Sequence, residues 1–321
     1  MAFIEKESKD LKQYLLQRKY TASARAAMTH ILRTKKIESS KGILLPAYIG
    51  LSKIEGSGVF DPVLETGIDY EFYNLNSRLS IDFDSVESQL KTGKFQLLFL
   101  IHYFGCPQCD TEALIELCHT YNVLLIEDCA HTILGGLNGK LLGTFGDYSI
   151  FSIHKSTSTK DGGFYFDRRG DLPDISLESN LNISKVTLET FVNTDVLAAS
   201  KQRVLNYMHV SKWVRQYEGL ELFFDSIPEG SVPLNCPVIV ANGKREALYN
   251  KLVESDILPT ALYHTLIPEI GKADFPLSYE LSNSIINLPT HPDITTADYS
   301  AYQSILKNAV EEVFSCDTNT R

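Results

Sequence analysis

The chain has 321 residues, of which 44% are apolar and 22% are charged, and its net charge is −10 at pH 7. This length and composition suit a folded protein with a large core and room for a second domain, and they argue against a disordered chain. The acidic balance argues against nucleic-acid binding, because contacts with phosphates need a basic surface.

The N-terminal stretch over residues 1–20 mixes charged residues with isolated apolar ones, so we expect no signal peptide there. A helix is predicted over residues 9–18, where Leu11, Tyr14 and Leu15 have helical spacing. The longest apolar runs, at residues 97–101 and 123–126, are too short to cross a bilayer. We therefore expect a cytoplasmic protein.

Helical and strand-length patterns then alternate along the chain. We predict helices over residues 23–33, 59–66, 82–91 and 110–121, and strands over residues 42–48, 69–75, 96–103, 123–128 and 147–153. Asp110 is the expected N-cap of its helix. Strands that are apolar throughout and joined by helices predict a parallel sheet covered on both faces. Ligands of such sheets bind at the carboxyl ends of the strands, here Tyr103, Asp128 and the residues after Ile153.

The pattern changes after Gly163. One long helix is predicted over residues 186–217, with the polar run 199–206 inside it, followed by strands over 237–241 and 284–288 and a helix over 244–255. These shorter elements indicate a smaller α/β domain. We place the division so that residues 1–200 form the large domain and residues 201–321 the small one.

Cys106-Pro-Gln-Cys109, followed by Cys118 and His119, raises the question of a metal or redox site. Adjacent residues of a helix point about 100° apart, so Cys118 and His119 cannot both face one ion. A second Cys-x-x-Cys pair is also missing. We expect ordinary thiols and no metal site.

Three segments carry the candidate chemistry: Glu127-Asp-Cys-Ala-His131 at a strand end, Gly143-Thr-Phe-Gly-Asp147, and Phe151-Ser-Ile-His-Lys155 followed by Asp161-Gly-Gly163. Taken alone, each has an ordinary explanation. A carboxylate at a strand end is often a cap or ion-pair partner, a lysine after a strand is usually solvated, and Asp-Gly-Gly usually forms a turn. Their order along one chain is more specific.

In this order the segments resemble those of the DegT/DnrJ/EryC1/StrS aminotransferases, pyridoxal phosphate (PLP) enzymes that act mainly on keto sugars. The resemblance runs from about residue 20 to 310 and is strongest over residues 102–163. His102-Tyr-Phe-Gly-Cys-Pro107 and Leu288-Pro-Thr-His-Pro-Asp293 match further motifs of the family. The implied fold is the α/β architecture of PLP transferases of fold type I. It has a large domain, with a mainly parallel sheet between helices, and a smaller C-terminal α/β domain.

The resemblance implies that Lys155 forms a Schiff base with the cofactor and that Asp128 pairs with the pyridine nitrogen. His131 would lie beside the ring and its phenolic oxygen, unless it is a structural histidine. Ala24, Arg25 and Ala26 would hold the cofactor phosphate through main-chain N–H groups at a helix start, together with Ser152.

Alternatives remain at several of these positions. The segment around Ala24 also suits a packed alanine-rich helix, and Tyr48 could stack on the ring, although the family's usual stacking position falls nearer Gly50. Lys155 lies three residues after Ser152, where most members have five, so Lys160 is a competing lysine. The family segment whose Asn and Arg reach the neighbouring subunit has no counterpart, because the asparagines at 180, 182 and 193 are scattered.

The implied function is an aminotransferase that moves an amino group from glutamate or a similar donor to a keto nucleotide sugar. Two alternatives remain: a dehydratase of the same family, in which histidine replaces the lysine (His154 is adjacent), and a non-catalytic PLP- or sugar-binding relative. The resemblance also implies a homodimer with its sites near the subunit boundary.

Overall fold

The computed structural model describes residues 17–38, 40–107, 109–175 and 179–315, without the side chains of residues 37 and 38. The predicted helix over residues 9–18 lies almost wholly outside these residues. The strands are β1 Lys19–Thr21, β2 Gly42–Pro46, β3 Tyr70–Tyr73, β4 Phe95–Ile101, β5 Leu124–Asp128, β6 Gly136–Leu137, β7 Lys140–Leu141, β8 Tyr148–Ser152, β9 Gly163–Asp167, β10 Leu220–Leu222, β11 Asn235–Val240 and β12 Ile285–Pro289.

The α-helices are α1 Ala24–Glu38, α2 Phe60–Thr66, α3 Phe83–Leu90, α4 Thr111–Tyr121, α5 Lys185–Val192, α6 Val196–Val214, α7 Arg245–Glu254, α8 Pro276–Ser284 and α9 Tyr299–Ser315. Every element predicted between residues 23 and 153 is present, within a few residues at each end. Asp110 caps α4 as predicted, because its carboxylate accepts hydrogen bonds from the N–H groups of Glu112 and Ala113.

A seven-stranded sheet in the order β1-β9-β8-β5-β4-β2-β3 forms the centre of the N-terminal part of the chain. The pairings of β2 with β3 and β4, of β4 with β5 and of β5 with β8 are parallel, which confirms the predicted mainly parallel sheet. Strands β2 and β8 are buried at every residue, as expected for a sheet covered on both faces.

The sequence did not predict the edge of this sheet beyond β8. Strand β9 returns antiparallel to β8 after the Asp161-Gly162-Gly163 turn, and β1 then pairs antiparallel with β9. Residue Gly163 lies in both pairings, opposite Ser152 on one side and Thr21 on the other. This places the start of α1 directly beside the end of β8.

The long helix predicted over residues 186–217 is wrong, because two helices, α5 and α6, occupy that stretch. The break falls at residues 193–195. There Asp195 accepts a hydrogen bond from the N–H of Ala198, so it caps α6 and starts a new helix.

The C-terminal part contains an antiparallel sheet in the order β10-β11-β12. A second apolar cluster joins this sheet to α6, α7 and α9 through residues such as Trp213, Val238, Leu248 and Leu306. Tyr263 and Ile267 belong instead to the core of the large sheet. Residue 200 lies inside α6. The division of the chain at that point stays a prediction.

In the described ranges, no helix combines the length and the apolar character that a bilayer span requires.

Candidate active site

The candidate site lies where the carboxyl ends of β5 and β8 meet. These strands pair in parallel, with Asp128 opposite Ile150, and Lys155 is the third residue after the end of β8. Asp128 is buried and Lys155 is partly buried. The carboxylate and the amine interact electrostatically, so the fold brings together the two residues that the sequence singled out.

Lys155 has an amine suited to nucleophilic chemistry. Burial lowers its pKa below the ordinary value, against the opposing charges of Asp128 and Glu55. A lysine with a lowered pKa has more of its neutral, reactive form at neutral pH. The buried guanidinium of Arg203 on α6 donates hydrogen bonds to the carbonyl oxygens of Lys155 at 2.8 Å and Leu234 at 2.7 Å. Arg203 therefore fixes the main chain that carries Lys155.

Asp128 is held in place by its own turn. Its Oδ1 accepts a hydrogen bond from the N–H of Ala130 at 2.8 Å, and its main-chain oxygen accepts one from His102 at 3.0 Å. Burial raises the pKa of this carboxyl, and the positive charge of Lys155 acts in the opposite direction. A buried carboxylate of this kind needs a cationic partner.

His131 is neutral and has a defined tautomer. Burial and the nearby Lys155 charge hold its pKa well below the ordinary value. Its Nδ1 accepts a hydrogen bond from the N–H of Phe104 at 3.0 Å, so the single proton of the neutral ring is on Nε2. His131 therefore carries its one ring N–H on Nε2, the nitrogen that Phe104 does not use.

The start of α1 offers unpaired main-chain donors. Ser23 Oγ accepts from the N–H of Ala26 at 3.1 Å and caps the helix, and the phosphate role of Ala26 stays a prediction. The N–H groups of Ala24 and Arg25 have no partner among the described residues. A Cβ on Gly163 would stand 2.4 Å from Ser23 C and 2.5 Å from Ala24 N. Only glycine permits this approach of the helix start to the end of β8.

The side chains of Ser152 and Arg25, near this helix start, have partners of their own. Ser152 is buried, and its Oγ is hydrogen-bonded to His154 Nδ1 at 3.1 Å. The guanidinium of Arg25 turns away from the helix start to pair with Asp61 at 3.3 Å and to donate to the Glu55 carbonyl. Arg25 can therefore contribute main chain, as the sequence suggested, rather than charge.

Other sequence candidates lie apart. Lys160 is exposed, and no described contact ties it to Asp128. Asn193 caps the end of α5 and donates to the Glu189 carbonyl. Leu181 lies closer to the candidate site. Its carbonyl accepts a hydrogen bond from the N–H of Ala22 at 2.7 Å, beside the start of α1. Asn180 and Asn182 flank that leucine.

The Gly143–Asp147 motif has a structural role at Glu127. The buried Glu127 carboxylate accepts from the N–H groups of Gly143, Phe145 and Gly146 at 3.0, 2.8 and 2.6 Å, and it pairs with His102 at 3.0 Å. Burial alone would raise its pKa, but the bonds from His102 and the main chain lower it. His102, Glu127 and Cys129 could in principle surround an ion. Both carboxylate oxygens are instead engaged, so the cluster serves to support Asp128 next in sequence.

The cysteine segment gives no sign of thiolate chemistry. Burial raises the pKa of Cys106, Cys109 and Cys118 to about 12 in each case, so these thiols stay protonated at neutral pH. Cys118 is buried while His119 is exposed, so the two side chains point in different directions, as the helical spacing predicted.

Sequence reasoning missed Arg203, Glu55 and Tyr263. Arg203 lies 48 residues after the lysine that it supports, and the only signal was the polar run that contains it. Tyr263 interacts with Asp128 and packs on His131, with ring centroids 6.0 Å apart. A surface cavity of about 740 Å³ lies elsewhere, around Gly42 and Asp69 at the opposite edge of the sheet.

Comparison with known proteins identifies the family to which the chain belongs. The sequence model of the DegT/DnrJ/EryC1/StrS aminotransferase family matches residues 11–176, about half of the chain. The chain belongs to this family. The matched stretch contains β1 to β9, and with them Asp128, His131, Ser152 and Lys155.

Among its relatives is the GDP-perosamine synthase of Escherichia coli O157:H7, 29% identical over 150 residues, which are 43% of this chain and 41% of that enzyme. The GDP-perosamine synthase of Vibrio cholerae is 36% identical over 87 residues, 26% of this chain and 23% of that enzyme. The matched stretches thus span less than half of these relatives. A solved family member from Brucella abortus has a TM-score of 0.76 at 17% identity, covering 96% of this chain and 90% of its own. That likeness shows the shared fold, as the sequence predicted.

Proposed function

We propose that this member of the family is a PLP-dependent aminotransferase that carries its cofactor on Lys155. The observation that supports this most strongly is the convergence of three elements at one sheet edge. They are a partly buried amine at Lys155, a buried carboxylate at Asp128, and unpaired N–H groups at the start of α1.

The residues present fit a flat, phosphorylated pyridine. Ala24 and Arg25 would donate main-chain N–H bonds to the phosphate, where the helix dipole favours an anion. The missing Cβ of Gly163 leaves room for that approach beside Ser152. Asp128 supplies the anion that the ring nitrogen needs, and the Nε2–H of His131 suits a phenolic oxygen.

Bound PLP supplies an electron sink for the bonds that break at the substrate carbon. The chain's own residues do the rest. Asp128 would keep a proton on the ring nitrogen, and Arg203 fixes the main chain of Lys155 through its carbonyl oxygen. The Lys155 amine, whose pKa is lowered by burial, would accept and return the proton that moves in the reaction.

We further propose an amino donor such as glutamate and a keto nucleotide sugar as acceptor. The relatives support this choice through their names. They include a dTDP-4-amino-4,6-dideoxy-D-glucose transaminase of Shigella dysenteriae and a dTDP-3-amino-3,6-dideoxy-alpha-D-galactopyranose transaminase of Aneurinibacillus thermoaerophilus, 24% and 23% identical to the chain. The retained Lys155 disfavours the dehydratase alternative, in which histidine takes its place.

A homodimer would complete the site. Ile54 is 94% exposed beside Glu55, whose charge acts on Lys155. Helix α6 holds the Lys155 loop with one face and exposes Leu205 and Met208 on the other, at 49% and 59%. Apolar side chains at these positions suit burial against a second copy.

The absorption spectrum of the purified protein tests the cofactor assignment. Wild type with PLP should show a band at about 410–430 nm that borohydride removes, a general property of PLP imines. Lys155→Ala should lack the band, whereas Lys160→Ala, its matched control, should keep it. Absence of the band in the wild type would contradict the proposal.

A further inference from the structure

Tyr263 has an unusual backbone for a bulky residue. Its φ is 62°, in the left-handed region that favours glycine, and its side chain is only 7% exposed. Phe104 also has a left-handed backbone, with a φ of 58°. Its ring packs on that of Tyr263, with ring centroids 5.8 Å apart. Strained positions of this kind occur where the surrounding structure holds a side chain for a purpose, and they cluster at functional sites.

The ring of Tyr263 lies against the candidate cofactor residues. It packs edge-on to the His131 ring, with ring centroids 6.0 Å apart, and its phenol interacts electrostatically with Asp128. Its hydroxyl has no hydrogen-bond partner among the described residues. A side chain near both Asp128 and His131 is therefore placed to contact a pyridine ring held by those two residues.

Glycine at position 50 makes room for this ring. A Cβ on Gly50 would stand 3.1 Å from Cδ1 of Tyr263, closer than nine in ten such contacts. The segment that follows Tyr263 is pinned to the loop after β2, because Leu51 N donates to Thr265 O at 2.9 Å and Ile267 N to Ile49 O at 3.0 Å. Tyr263, from the C-terminal part of the chain, thus fills the space that a side chain on residue 50 would occupy.

We propose that Tyr263 covers one face of the cofactor ring, so that a residue from the C-terminal part completes the cofactor site. This inference rests on the proposed function. An aromatic face against the pyridine gives dispersion and ring electrostatics without needing a hydroxyl bond. The ring of Tyr263, rather than its oxygen, is therefore the group that matters.

Cofactor titration of matched variants tests this role. Tyr263→Phe should bind PLP within about twofold of wild type, whereas Tyr263→Ala should bind roughly two- to tenfold more weakly, the effect of losing one aromatic pair. The visible circular dichroism of bound cofactor should change in Tyr263→Ala only. Tyr279→Leu, an exposed tyrosine on α8, is the control for removal of an aromatic ring elsewhere. If Tyr263→Ala does not fold, Tyr263→Leu keeps apolar volume without the ring.

A rescue variant separates covering the cofactor from simple core packing. In Tyr263→Ala the space beside Gly50 is vacant, and Gly50 does not have a left-handed φ, so Gly50→Phe can place a ring there. The double variant Gly50→Phe/Tyr263→Ala should regain most of the lost affinity. Unchanged affinity in Tyr263→Ala, or no recovery in the double variant, overturns this inference alone. A wild type that binds no cofactor overturns the proposed function and this inference together.

Discussion

Gly163→Ala should disturb the junction between α1 and the end of β8. The added Cβ would stand 2.4 Å from Ser23 C, 2.5 Å from Ala24 N and 2.8 Å from Phe151 O, all of them main-chain atoms. To reach ordinary contact, the helix start must move away from the strand by about 1 Å. Overpacking of this kind lowers the free energy of unfolding by about 1–3 kcal/mol.

The same displacement should weaken cofactor binding. The N–H groups of Ala24 and Arg25 would leave hydrogen-bond distance of a phosphate, and each charge-assisted bond that is lost costs about 1.5–3 kcal/mol, roughly tenfold or more in affinity. Urea unfolding of the cofactor-free protein and PLP titration by absorbance measure the two effects separately.

Gly58→Ala is the matched control. A Cβ on Gly58 has no atom within 4 Å, and the residue does not need a left-handed φ. It should keep wild-type stability and affinity. If Gly163→Ala matched Gly58→Ala in both measurements, the close approach of α1 to β8 would not hold the phosphate site, and the reasoning would be refuted.

Three further predictions concern single side chains. Asp128→Asn should keep the fold but lose several orders of magnitude in aminotransferase activity, because a neutral amide cannot keep the ring nitrogen protonated; activity within about tenfold of wild type would count against the role. Arg203→Met should lower the free energy of unfolding in urea by about 2–4 kcal/mol, since two carbonyls lose a buried charged donor; a loss no larger than that of Arg168→Met would contradict it. Burial lowers the pKa of His264 to about 4, so the unfolded chain binds a proton that the folded chain does not, and stability falls as pH drops from 6.5 toward 4. Between pH 7 and 5, wild type should therefore lose about 2 kcal/mol more unfolding free energy than His264→Asn; equal losses would show that His264 is not the group responsible.

The homodimer is tested by light scattering at micromolar concentration, with cofactor retention measured on the same sample. Met208→Glu should favour the monomer, because a charge on the exposed face of α6 cannot be buried against an apolar partner surface. Leu64→Glu is the control. Leu64 is 55% exposed, close to the 59% of Met208, but it lies on a different helix, α2. A wild-type monomer that binds PLP tightly would show that one chain builds the site alone.

The sequence predicted the central sheet well because its signals are local. Apolar runs such as Phe95–Ile101 separated by capped helices can be recognised within one element. The antiparallel return of β9 was missed, because an apolar run shows neither its direction nor its partner. The break between α5 and α6 depends on Asp195, whose capping role competes with a nearly continuous helical pattern.

The site shows the same limit. Asp128 ends β5 and Lys155 lies just after the neighbouring strand β8, so a parallel sheet places both residues at the same end. Arg203 and Tyr263 reach the site from distant segments, and no spacing rule connects residues so far apart in the chain. The N–H of Ala26 donates to the Ser23 hydroxyl, a detail that depends on side-chain orientation at the cap.

The most direct measurement of the central claim is borohydride reduction of the PLP-loaded protein followed by peptide mapping. The reduced cofactor should be found on Lys155, whose partly buried amine interacts with Asp128. Its presence on the exposed Lys160, or on neither lysine, would contradict the assignment of this site.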